Sequence, residues 1–84
     1  MYDCYITFRS VTTAQRGEAV LVRHGFRVHL RRAPKFLSVN GCGYALMVPC
    51  RDLSAAGMLL MREGVNFVKL YRPGQSGGYE EVRF

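Results

Sequence analysis

The chain has 84 residues, a formal net charge of +6, 49% hydrophobic residues and three cysteines. That length sets one small domain with room for a sheet and two helices, and hardly for a closed internal cavity. No apolar run approaches the roughly 20 residues of a membrane span, no basic-then-apolar leader opens the sequence, and the positive balance favours acidic partners.

Tyr2, Cys4, Ile6 and Phe8 alternate with Asp3, Tyr5, Thr7 and Arg9, the period of a half-buried strand. Thr12 with Gln15 matches a capping box, and Ser10 is a competing N-cap. The helix they open gathers Ala14, Gly17 or Glu18, Leu21 and His24 near one face, and Gly25 suits its C′ position. Gly17 inside a helix costs up to about 1 kcal/mol against Ala, so a packing reason is expected.

Phe26, Val28 and Leu30 alternate with Arg27, His29 and Arg31, giving a second strand with a basic outer face that Arg32-Ala33-Pro34 ends. Lys35 to Asn40 connects to a third strand, Gly43 to Val48, stopped by Pro49. Asp52 to Glu63 is a second helix with Leu53, Ala56 or Gly57, Leu60 and Met61 on its buried side and Gly64 at C′. Asn66 to Arg72 reads as a fourth strand, with Val68 and Leu70 pointing inward. Residues 1–72 thus form one domain, and 73–84 are a Gly-rich linker and a short tail able to add an edge strand.

The order β-α-β-β-α-β is the ferredoxin-like arrangement, an α+β sandwich. Its four antiparallel strands run 4-1-3-2, with both helices on one face. The open face then carries Tyr5, Thr7, Arg9, Arg27, His29, Arg31, Phe67, Lys69 and Tyr71.

An odd number of cysteines without Cys-x-x-Cys spacing argues against a disulfide framework and a structural zinc site, and His24 and His29 complete no ligand set. No cofactor or metal is expected, and the cytoplasm is the default compartment. In this topology Cys42 and Cys50 lie at opposite ends of the third strand, roughly 26 Å apart. Cys4 lies toward the Cys50 end and reads most simply as a core residue; Cys50 lies near the start of the second helix.

Cys42 stands between Gly41 and Gly43, which leave a thiol accessible and free in direction. The topology puts it near the start of the first helix, where unpaired N–H groups, the hydroxyls of Ser10 and Thr12, and the charge of Arg9 favour a thiolate. No histidine or carboxylate is placed beside it as a base, so the pattern suits a group carrier better than an enzyme.

Cys42-Gly43-Tyr44-Ala45-Leu46, the lead-in Tyr5-Ile6-Thr7-Phe8-Arg9-Ser10-Val11, the Asp52-Leu53 helix start and the Val65–Tyr71 closing segment resemble the selenium/sulfur carrier-like family of small bacterial and archaeal proteins, found mostly in anaerobes. The resemblance covers about residues 2–72. It implies a non-enzymatic carrier that holds sulfur as a persulfide, or selenium as a selenenylsulfide, on Cys42. Its partners would be donor and acceptor proteins such as a cysteine desulfurase. Asn40-Gly41 departs from the more serine-rich approach usual in the family.

The alternative reading is single-stranded RNA binding, since the same element order builds the RNA recognition module. Asn40 to Met47 keeps that module's two glycines and one aromatic but lacks its basic first position and two stacking aromatics. Arg27, His29, Arg31, Lys69 and Tyr71 would form the docking face, for RNA or for a protein. A homodimer through the apolar side chains of Phe67 and Tyr71 is a third reading.

Overall fold

Alternation along the first strand does what its period demands. In the computed structural model, which describes residues 3–32, 43–75 and 78–82, Cys4, Ile6 and Phe8 are buried under two helices. The elements in order are β1 (Cys4–Phe8), α1 (Val11–Arg23), β2 (His29–Arg32), β3 (Tyr44–Val48), a 3-10 turn (Cys50–Asp52), α2 (Leu53–Arg62), β4 (Lys69–Pro73) and β5 (Tyr79–Val82).

All neighbouring strands are antiparallel, in the order β2-β3-β1-β4-β5. The sheet therefore has five strands rather than the expected four. The inner order is retained, and the tail supplies the fifth strand at the β4 edge. The register explains why the tail docks. Leu30, Leu46, Ile6, Leu70 and Val82 pair across successive strands and form one apolar row under the helices. Val82 extends that row, while Glu80 and Glu81 pair with Arg72 at 3.4 Å and Lys69 at 3.3 Å.

Helix α1 starts at Ser10, whose Oγ accepts a hydrogen bond from the Thr13 N–H at 3.2 Å. Ser10, not Thr12, is thus the cap: a side chain in extended backbone just before the first turn can reach that donor. Gly17 has the packing reason its position called for. A Cβ there would stand 2.9 Å from Phe8 Cζ and 3.3 Å from Leu46 Cδ1, so its absence lets α1 lie directly on β1 and β3. Gly25 and Gly64 take φ of 86° and 76° just after the helices, the left-handed residues that end them. His24, expected near the buried face, is the exposed C-cap.

Three other expectations are corrected. Strands β2 and β4 begin three residues later than their alternation suggested, so Arg27 lies outside β2 and Val68 outside β4. Val68 is exposed, while Val65 and Phe67 turn onto the core instead. Met61, placed on the buried side of α2, is 61% exposed; Leu53, Ala56, Gly57, Leu59 and Leu60 fill that side.

Candidate functional site

The antiparallel pairing of β1 with β3 defines two ends. At one end Phe8 faces Tyr44, and at the other Cys4 faces Val48. The first is where the sequence puts its carrier cysteine. Cys42 and Gly41 lie outside the described residues; Gly43, next in sequence, is half-buried and leads into β3. One step beyond the last pair of the ladder, Gly43 corresponds to Arg9, which is exposed.

Ser10 and Thr12 follow immediately, Ser10 as the cap and Thr12 exposed in the first turn of α1. Ser10 Oγ also lies 3.0 Å from Thr13 Oγ1. The first turn of α1 carries no acidic residue, so nothing on the helix itself offsets the positive end of its dipole. Arg32 adds a second cation, its guanidinium carbon 5.8 Å from the centroid of the Tyr44 ring. Sequence reasoning passed over Arg32 as a strand terminator. The signal was its register: the last residue of β2 pairs with the first of β3.

The other end holds what cysteine counting argued against. Cys4 and Cys50 are joined in a disulfide that spans 46 residues, with Cα atoms 5.1 Å apart. Three cysteines without a spacing motif still leave room for one pair, and the topology supplies it. Cys4 opens β1 beside Val48, and two residues later the chain turns through the 3-10 segment that leads into α2. The partners differ in environment: Cys4 is fully buried in the core, whereas Cys50 is an exposed residue. Beside Cys50 are Arg51 and Asp52, and Asp52 makes no side-chain cap on α2.

The residues expected on the open face are not all gathered there. Tyr5, Thr7, Lys69 and Tyr71 share it through the β1–β4 ladder, and His29 and Arg31 are exposed on β2, but Arg27 lies outside the sheet. Phe67 packs against the core and is no longer an open-face group. Thr7 is buried; its hydroxyl accepts from the Lys69 N–H and donates to the Lys69 carbonyl, both at 3.2 Å. Tyr79 from β5 packs edge-on to Tyr5, with centroids 5.3 Å apart. Burial, then the charge and hydrogen bond of Tyr5, raises the Tyr79 phenol above the ordinary tyrosine range.

Among the described residues no group of three or more His, Cys, Asp or Glu side chains could hold a metal ion. No helix among them is long and apolar enough to cross a membrane. No curated protein and no solved structure matches the chain. A family model does, over residues 3–72, and by that match the chain belongs to the family described as "Putative Se/S carrier protein-like".

Proposed function

We propose that the protein is a non-enzymatic carrier. Cys42 holds a sulfur atom as a persulfide, or a selenium atom as a selenenylsulfide, and hands it to a partner protein. Family membership supports the class of cargo. The observation that carries the choice of residue is the Cys4–Cys50 bond, which takes up two of the three cysteines. While it is intact, Cys42 is the cysteine left outside it, and no other cysteine of the chain can pair with it.

The surroundings fit the chemistry. A thiolate is the species that attacks a sulfur donor, and a helix start with no acidic residue, with Arg9 just before its cap and Arg32 over Tyr44 at the same end of the sheet, favours the anion. Gly41 and Gly43 remove side-chain bulk on both sides. A carrier needs no proton shuttle, because the zero-valent atom passes from one thiolate to the next. Donor and acceptor proteins, a cysteine desulfurase among the donors, are the partners this requires. The protein works where such partners do, and we place it in the cytoplasm.

The deciding experiment is intact-mass analysis after incubation with a cysteine desulfurase and cysteine, or with selenide under mild oxidant. The native chain is expected to gain one sulfur or selenium atom, removable by thiol reductant, and Cys42→Ser is expected to gain none. Equal gain by Cys42→Ser would overturn the assignment. The RNA reading is weakened on the open face itself. Lys69 is paired with Glu81, so β5 withdraws a cation that phosphate contacts would use.

A further inference from the structure

We propose that Cys4 and Cys50 form a second sulfur-handling site. Reduced to a dithiol, the pair strips the outer sulfur or selenium from a persulfide or selenenylsulfide, releases it as sulfide or selenide, and ends as the disulfide. The proposal rests on the carrier reading for the source of its substrate.

The geometry divides the roles. Cys50 is exposed in a turn and can meet a substrate; Cys4 is wholly buried and cannot. Yet Cys4 is within bonding reach of Cys50, with Cα atoms 5.1 Å apart. An attacking thiol on an exposed residue, within reach of a resolving thiol on a buried one, is the arrangement such chemistry needs. Cys50 opens the 3-10 turn that leads into α2. The apolar core encloses Cys4 and shields its sulfur until an electrophilic sulfur is brought next to it on Cys50.

Two displacements follow. The Cys50 thiolate attacks the outer sulfur of R–S–SH; the S–S bond breaks, the inner sulfur leaves as RS⁻ and takes up a proton, and Cys50 becomes a persulfide. The Cys4 thiol then loses its proton and its sulfur attacks Cys50 Sγ. The Cys4–Cys50 bond forms, the bond to the outer sulfur breaks, and that atom departs with the electron pair as hydrosulfide. In sum a dithiol and a persulfide give a disulfide, a thiol and hydrogen sulfide. The pair loses two electrons and the zero-valent sulfur gains them. With a selenenylsulfide the product is hydrogen selenide. An external dithiol reductant restores the pair by thiol–disulfide exchange.

The test uses the full chain carrying Cys42→Ser, reduced, freed of reductant and mixed with glutathione persulfide. Sulfide release and intact mass are followed together. The expected result is sulfide in proportion to protein, matched by loss of two hydrogens as the disulfide forms. Adding Cys4→Ser is expected to stop the release and trap one extra sulfur on Cys50; Cys4→Ala repeats that measurement with no buried hydroxyl. Adding Cys50→Ser is expected to abolish both signals. Sulfide release unchanged in the Cys4 and Cys50 variants, or no trapped sulfur in either folded Cys4 variant, overturns the proposal. Loading of Cys42 in a Cys4→Ala/Cys50→Ser chain is scored separately. If Cys42 loads while the dithiol discharges nothing, this inference fails and the carrier reading stands.

Discussion

Breaking the Cys4–Cys50 bond should remove much of the stability of the domain. The bond closes a loop with a sequence separation of 46. In the chain-entropy account a cross-link of that span is worth about 4 kcal/mol at 25 °C. A domain of this size has a total stability of about 4–13 kcal/mol, so the loss is a large fraction of it. At about 4–8 °C per kcal/mol, the melting temperature should fall by about 20 °C. The measurement is a circular-dichroism melt in a Cys42→Ser background, which excludes mispairing. Oxidised protein, reductant-treated protein and Cys50→Ser are compared. The last two should coincide, because Cys50 is exposed and its replacement disturbs little beyond the bond. Cys4→Ser should melt lower still, by a further 1–3 kcal/mol or about that, because it leaves a hydroxyl in the core. Oxidised and reduced protein melting within about 3 °C of each other would refute the reasoning, since the chain-entropy account assigns a cross-link of this span far more than that.

Gly17→Ala adds a methyl 2.9 Å from Phe8 Cζ, so overpacking of about 1–3 kcal/mol should outweigh the gain in helix propensity of about 1 kcal/mol. Urea unfolding should show a lower midpoint, and a higher one would mean that the Phe8 ring yields freely. Ser10→Ala should cost about 1 kcal/mol by the same assay and Thr12→Ala little, because Ser10 is the residue that caps α1. Tyr79 gives a pH prediction. Its folded-state pKa is raised, so the unfolded chain ionises first and stability is full below the ordinary value of about 10 and falls as pH rises above it. Tyr79→Phe should flatten that alkaline decline, and an unchanged slope would remove Tyr79 as its source.

What the sequence made legible was whatever depends on local period. Cys4, Ile6 and Phe8 announced their face, Gly25 and Gly64 announced the helix ends, and the element order carried the inner strand order. Strand starts were less visible. Phe26, Val28 and Phe67 alternate like strand residues but pack against the core outside β2 and β4, so their burial mimics a ladder they do not join. The disulfide was hidden for a different reason. Cysteine spacing along the chain says nothing of a pair whose contact is made by β1–β3 register. Strand β5 was visible only as a short tail, behind a Gly-rich segment, able to add an edge strand. Its attachment comes from Val82 completing a row built by four other strands. The proposed carrier cysteine is the opposite case. Its motif is in the sequence, and Cys42 itself lies outside the described residues.

The two proposed sulfur chemistries, carried on one chain, would create a hazard that the length of β3 works against. A thiol within reach of a Cys42 persulfide would attack it, form a disulfide and expel the cargo. Tyr44 and Val48, which mark the two ends of β3, stand roughly 13 Å apart. Cys42 precedes the first by two residues, and Cys50 follows the second by two. A strand paired on both sides cannot fold back on itself to bring its flanks together. On the two proposals, discharge of one chain's cargo by the dithiol is therefore expected to take place between molecules. A chain loaded on Cys42 and reduced at Cys4 and Cys50 should release sulfide at a rate that falls on dilution. Mixing a loaded Cys50→Ser chain with an unloaded, reduced Cys42→Ser chain should restore it. Release from the single loaded chain at a rate independent of its concentration would mean that the two sites meet within one molecule, against the geometry of β3.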